Sequence, residues 1–136
     1  MIERSTAPAA VVPAPSLVLE GEAFPDLAPS IHRQRLVVEG LVDHPIDAPA
    51  IVRYLDQLSE VCAMRVLQAP VTHRSDRYGW AGWVHWEASG AHFYAWERPQ
   101  LFFSVDLYTC KSFDPVAVVD ATAAFFASDR VVAKSF

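Results

Sequence analysis

The sequence predicts an α+β fold, a two-layer sandwich in which a mainly antiparallel sheet carries helices on one face. Short segments rich in β-branched and aromatic residues fill most of residues 31–136, and only two stretches space their apolar residues as a helix does. Four of the strand-like segments follow one another with no helix between them. Such a run favours an antiparallel sheet over the strand–helix alternation of a parallel one.

Size and charge exclude several classes of function. The 136 residues allow one domain with a modest core, and a composition of 52% hydrophobic and 20% charged residues is ordinary for a soluble protein. A net charge of -5 with scattered basic residues argues against binding to nucleic-acid phosphates. The two cysteines form no CxxC pair. No signal-peptide pattern or membrane-spanning apolar run is visible, so we expect a cytoplasmic protein without a membrane partner.

The first 30 residues differ from the rest because they hold five of the ten prolines. Each proline removes a backbone donor and restricts the residue before it, which disfavours a helix or a central strand. We therefore predict an extended Pro/Ala-rich arm over residues 1–30 and a folded domain over residues 31–136.

The first half of the domain predicts a strand, a helix and a short second strand. Residues 35–42 are rich in β-branched residues and predict the first strand. Asp47 can cap a helix over residues 48–62, where apolar side chains recur at helical spacing. Residues 64–69 predict a strand that ends at a proline, and the polar run 72–77 predicts a loop.

The second half predicts further strands and one more helix. Strands are predicted over residues 80–87, 91–96 and 101–109, and a short edge strand over residues 131–133. Asp114 followed by proline is a typical helix start, because the carboxylate caps the helix and proline suits its first position. This helix is predicted over residues 116–127.

The hairpin around Ser89-Gly90 concentrates the residues with chemical function. If these two residues form the turn, the predicted cross-strand pairs are Glu87 with His92, His85 with Tyr94, and Trp83 with Trp96. Strand alternation places all six side chains on one face of the sheet. An acid, two imidazoles, a phenol and two indoles together are more than a core requires.

Three interpretations of Glu87 and His92 stay open. They can form a surface pair worth only ~0.2–1 kcal/mol, or a general acid–base pair. With His85 they can also supply two histidines and one carboxylate to a metal ion. No dense ligand cluster or characteristic spacing supports this last set, so we predict no metal site.

The hairpin and its flanks resemble bacterial S-adenosylmethionine decarboxylases. Family members carry a segment of the form G-V-S-G-V-V-V-x-x-E-S-H-x-x-I-H-T-W-P-E, followed by D-[IL]-F-T-C and D-P-W. Here the run from Gly79 reads GWAGWVHWEASGAHFYAW, followed by VDLYTC and then Asp114-Pro. Ser89 and Trp96 fall into register without a gap, and reaching Cys110 takes one inserted residue. The resemblance covers roughly residues 31–133.

The resemblance implies a reaction as well as a fold. In this family a serine attacks the carbonyl before it, the chain cleaves there, and the serine becomes a pyruvoyl group. That group forms a Schiff base with the substrate amine and accepts the electrons released with CO2. Ser89 matches the serine, and Cys110 matches the cysteine that acts as general acid.

The residues around Ser89 depart from the family pattern. The glutamate before the serine is Ala88, the serine of the upstream G-V-S-G is Ala81, and the processing histidine is Tyr94. Alanine neither gives nor takes a proton, and a phenol with a pKa of ~10 is a poor base at neutral pH. We expect no self-cleavage, and therefore no cofactor, because a pyruvoyl group would arise from Ser89 only by that route.

The substrate side differs too. The loop aromatic expected to stack on adenine aligns with Ser75, and the acidic ribose ligand is displaced to Glu97, with Arg98 at the matching step. The predicted catalytic residues are Ser89, Cys110, Tyr94, His92 and Glu87, and the predicted substrate-binding residues are His85, Trp83, Glu97 and His73.

Three functions remain open. The first is a family member that does not process itself and that binds or transforms a small amine or sulfonium metabolite such as S-adenosylmethionine. The second is an active pyruvoyl-dependent decarboxylase of polyamine biosynthesis with a remodelled site, and the third is a non-catalytic dimeric scaffold. We expect a homodimer in each case, because two short helices cannot shield four tryptophans on two adjacent strands.

Overall fold

A computed structural model describes residues 16–136 and confirms the α+β sandwich. Its elements are β1 (Gln34–Leu41), α1 (Ala48–Val61), β2 (Val66–Ser75), β3 (Gly79–Trp86), β4 (Ser89–Trp96), β5 (Phe102–Thr109), α2 (Pro115–Phe125) and β6 (Val131–Ser135). The predicted arm falls in part on residues 1–15, which lie outside the described residues. Residues 16–33 contain neither a helix nor a strand.

All six strands form one antiparallel sheet in the order β2-β3-β4-β5-β1-β6. Helix α1 packs on β2 and β3, α2 packs beside it on β1 and β6, and the two helices contact each other. Both helices therefore cover the same side of the sheet. We call the other side, which carries Trp83, His92 and Asp106, the open face. None of the helices in residues 16–136 has the length and apolar character that crossing a membrane requires.

Both helices begin where the sequence predicts. The Asp47 carboxylate accepts a hydrogen bond from the Ala50 N–H at 3.0 Å, and the Asp114 carboxylate accepts one from the Val116 N–H at 3.0 Å. Each bond satisfies a backbone donor that the first turn leaves without a helical partner. The caps fix where the helices enter the layer above the sheet.

The core lies between the helices and β1, β3, β4 and β5. Trp86 is fully buried there, and its indole N–H donates to the Ser59 hydroxyl of α1 at 2.8 Å. Trp80 also packs against the core. The helices therefore shield two of the four tryptophans, and Trp83 and Trp96 lie on the open face.

Strand β2 corrects the prediction of a short strand followed by a loop. It continues through Pro70 to Ser75, although the polar run after the proline suggested a loop. β2 is an edge strand, and its pairing with β3 shifts register twice between Val66 and Val71. A proline is tolerated at such an irregular edge because its missing N–H breaks no ladder bond. His73 consequently lies in a strand, opposite Ala81.

Candidate functional site

The β3–β4 hairpin turns at Glu87-Ala88, two residues earlier than predicted. The three predicted cross-strand pairs are therefore wrong: Trp83 pairs with His92, His85 with Gly90, and Ala81 with Tyr94. Because the pairing moves by four residues, an even number, the side chains that lie in the strands keep the face that was predicted for them. Gly90 is required inside the strand instead, since a Cβ there would lie 2.5 Å from the Val84 carbonyl oxygen.

A row of aromatic rings runs along the open face. Successive ring centroids lie 5.2–6.1 Å apart in the order Trp83, His92, Tyr94, Trp96 and Phe102. The rings stay partly accessible, and Tyr94 is 40% exposed. Such a surface can take an aromatic or cationic group, or a second protein surface.

A cavity of about 540 Å³ lies at the Ser89 end of this row. It contains four of the predicted site residues: Trp83, His85, Ser89 and His92. Asp106 and Tyr108 of β5 complete its wall, and neither was singled out from the sequence. Asp106 is the direct cross-strand partner of His92, so Trp83, His92 and Asp106 form one row across three strands.

The backbone at Ser89 has two special features. Its φ is +111°, a value that residues with a side chain rarely adopt, and such strain clusters at functional sites. The carbonyl oxygen of the preceding Ala88 accepts a hydrogen bond from the Cys110 N–H at 2.9 Å. A donor at that oxygen would stabilise negative charge if a nucleophile attacked this carbonyl. The Ala88–Ser89 bond therefore combines a strained residue with a hydrogen-bonded carbonyl.

The comparison with protein families decides the ancestry of this site. The model of the family described as S-adenosylmethionine decarboxylase matches residues 42–136, including the whole hairpin and Cys110. The chain belongs to the S-adenosylmethionine decarboxylase family. A crystal structure of the adenosylmethionine decarboxylase from Aquifex aeolicus VF5 matches with a TM-score of 0.64 and 16% sequence identity, covering 78% of this chain and 89% of that chain. At this identity the likeness shows the fold alone. No curated protein matches the sequence.

Two residues of this chain that depart from the family pattern are paired across neighbouring strands. Ala81 and Tyr94, at the positions that the resemblance gives to a serine and to the processing histidine, are cross-strand partners. Tyr94 lies five residues from Ser89 along β4, roughly 16 Å in an extended strand. Within one chain it is therefore remote from the Ala88 carbonyl. The imidazoles that share the cavity with Ser89 are His85 and His92.

Four other predicted residues lie outside the lining of the cavity. Glu87 is exposed in the turn and pairs with Arg65 at 3.2 Å. Glu97 pairs with Arg74 at 3.5 Å. His73 is exposed on the edge strand β2, and Cys110 is exposed just after β5.

The three residues considered as metal ligands from the sequence, His85, Glu87 and His92, do not come together in the structure. Glu87 belongs to the turn, whereas His92 lies opposite Trp83, four residues back along β3. Across residues 16–136, no group of three His, Cys, Asp or Glu side chains is placed to hold a metal ion.

Proposed function

We propose that this member of the S-adenosylmethionine decarboxylase family keeps the chain intact and binds a small cationic metabolite in the cytoplasm. Its ligand is S-adenosylmethionine or a related amine, held in the cavity on the open face. The observation that carries the proposal is the setting of the Ala88–Ser89 bond: Ala88 stands where the family pattern has a glutamate, and Tyr94, at the position of the processing histidine, lies five residues away along β4. Where the family pattern has groups that move protons during self-cleavage, this chain has a methyl group and a phenol, and neither is an effective base.

The cavity suits a cation with an attached aromatic or apolar part. Trp83 and Tyr108 offer ring faces, which attract ammonium and sulfonium groups, and Asp106 supplies a carboxylate in the same wall. A net charge of -5 adds a weak attraction over the whole surface. Since Trp83 lines the cavity, quenching of its fluorescence by S-adenosylmethionine tests binding directly, with Trp83→Phe as the variant that removes the signal.

An intact chain is the first expected result. The full-length protein should give a single mass near 15.1 kDa, because Ala81, Ala88 and Tyr94 replace the serine, glutamate and histidine of the family pattern. Mass spectrometry after prolonged incubation at neutral pH measures this. Ser89→Ala, which cannot cleave, is the matched control and should give the same pattern. Fragments of residues 1–88 and 89–136, the second with a borohydride-reducible carbonyl, would contradict the proposal.

An active pyruvoyl-dependent decarboxylase is the second candidate function. The backbone at Ser89 favours it, because the residue has a positive φ and the Cys110 N–H is bonded to the Ala88 carbonyl. His85 would then have to act as the base from the same cavity. The mass measurement separates this candidate from the first, and His85→Ala should abolish any cleavage that occurs.

We further propose a homodimer formed through the open faces. Tyr94, Trp96 and Phe102 lie there, outside the lining of the cavity and without a covering layer from residues 16–136, and a stable dimer needs about 1,200–2,000 Å² of buried surface. We expect sedimentation to give twice the 15.1 kDa chain mass. Tyr94→Glu should shift it to the monomer, because a carboxylate would be buried in the interface.

The control for this shift is Val116→Glu, which places the same charge on an exposed residue of α2, on the opposite side of the molecule. It should leave the dimer intact. A monomeric mass for the unaltered chain would contradict the dimer proposal.

A further inference from the structure

The charge at the cavity is a pair of opposite charges, not an isolated carboxylate. Among the cavity's lining residues, all within residues 16–136, Asp106 has the only carboxylate. Arg35 is hydrogen-bonded to it and lines a neighbouring cavity of about 770 Å³. Tyr108 lines both cavities, so the pair stands at the boundary between them.

The two side chains meet in a bidentate arrangement that remains open to solvent. Arg35 donates from Nε to Asp106 Oδ1 at 3.0 Å and from Nη2 to Oδ2 at 2.9 Å. The Arg35 side chain is 44% exposed and that of Asp106 33% exposed. The hydrogen bonds that Arg35 donates to the Asp106 carboxylate raise the pKa of Arg35, so the guanidinium is charged throughout the working pH range. Bidentate geometry makes this pair stronger than most exposed ion pairs, so a ligand separates it only by supplying a partner to each of the two charges.

Arg35 has a second side-chain contact besides Asp106. Its guanidinium carbon lies 4.8 Å from the centroid of the Phe136 ring, a cation–π contact. The Phe136 N–H also donates to the Arg35 carbonyl oxygen at 3.1 Å, which ties β6 to β1 at this point. The arginine is therefore pre-oriented to face the cavity boundary, and preorganisation lowers the cost of binding.

We propose that this pair opens to bind the zwitterionic head group of a free α-amino acid. The ligand's ammonium group binds Asp106, and its carboxylate binds Arg35. The exchange leaves every charge paired, whereas a simple amine would occupy Asp106 and leave Arg35 without its partner. The remainder of the ligand lies along the Trp83–His92 row beside Asp106. This inference rests on the proposed function and names the two residues that hold the ligand's head group, Asp106 and Arg35.

The test compares ligands that differ only by that carboxylate. The full-length protein is titrated with S-adenosylmethionine and its decarboxylated form, and with methionine and 3-methylthiopropylamine, following heat by calorimetry. We expect the amino acid of each pair to bind about tenfold more tightly than the amine, the scale of one charged hydrogen-bonded contact. Arg35→Met should remove this preference, and Asp106→Asn should weaken binding of all four ligands.

Arg74→Met is the matched control. Arg74 is also a half-exposed arginine, at 46%, and is paired with Glu97, but it contacts Trp80 on the side of the sheet away from the cavity. It should keep the full preference for the amino acid.

Equal affinity for amine and amino acid in the unaltered protein would overturn the inference and leave the proposed function standing. No binding of any of the four ligands would overturn both. If a folded Arg35→Met variant still prefers the amino acid over the amine, the role of the pair is refuted. The comparison of ligands in the unaltered protein tests the inference even if that variant does not fold.

Discussion

Trp86→Ala is expected to lower the free energy of unfolding by about 3–5 kcal/mol, the usual cost of removing a large aromatic side chain from a core. Trp86 is 0% exposed, beneath α1. Its loss leaves a cavity between helix and sheet and removes the hydrogen bond to the Ser59 hydroxyl, which itself donates to the Leu55 carbonyl. Urea unfolding followed by far-UV circular dichroism measures the change without relying on the deleted fluorophore.

Trp83→Ala is the matched control, three residues away on the same strand. Trp83 lies on the open face, so its removal opens no cavity in the core. At protein concentrations low enough to dissociate the proposed dimer, we expect a loss below about 1 kcal/mol, typical of a substitution away from the core. Losses of similar size for the two variants would contradict the assignment of faces, on which the cavity and the dimer proposal both depend.

Trp83 and Trp86 also show which features of the sheet the sequence can predict. Alternation along a strand separates Trp83 from Trp86 with certainty, because successive side chains point to opposite faces. It cannot fix the register, since a shift of two residues keeps every side chain on its face. Ser89-Gly90 looked like the turn because glycine favours turns, yet Gly90 is needed for its close approach to the Val84 carbonyl.

Asp106 and Tyr108 could not be assigned to the site for a related reason. They reach the cavity only through the pairing of β4 with β5, which places Asp106 beside His92 and Tyr108 beside Gly90. That pairing is a long-range contact whose register the local pattern leaves open. The alternation of Asp106 and Tyr108 with buried Leu107 was visible, and it identified their face but not their neighbours.

Two adjacent substitutions at the start of β4 should change stability in opposite directions. Gly90→Ala is expected to cost about 1–3 kcal/mol, as other overpacked sites do. Its Cβ would lie 2.5 Å from the Val84 carbonyl oxygen and 3.6 Å from the His85 Cα. These are backbone atoms of β3, and they cannot move away without breaking the ladder that forms the hairpin.

Ser89→Gly is expected to raise stability by about 1 kcal/mol. The +111° φ of Ser89 costs on the order of 1–3 kcal/mol for a residue with a side chain, and glycine relieves it. The greater conformational freedom of glycine in the unfolded chain offsets about 0.5–1 kcal/mol of this stabilisation. Urea unfolding of both variants measures the two signs, and Ala91→Gly, at a buried position of the same strand, should destabilise.

Whether Ser89→Gly raises or lowers the stability of the protein indicates the role of Ser89 in the site. If Ser89→Gly stabilises, the chain keeps a strained serine whose preceding carbonyl is bonded to the Cys110 N–H, although a relaxed residue would fold better. Strain retained at a cost fits a residue held for contact with a ligand or for reaction. If the substitution destabilises, no strain is stored there, and Ser89 marks only the ancestry of the hairpin.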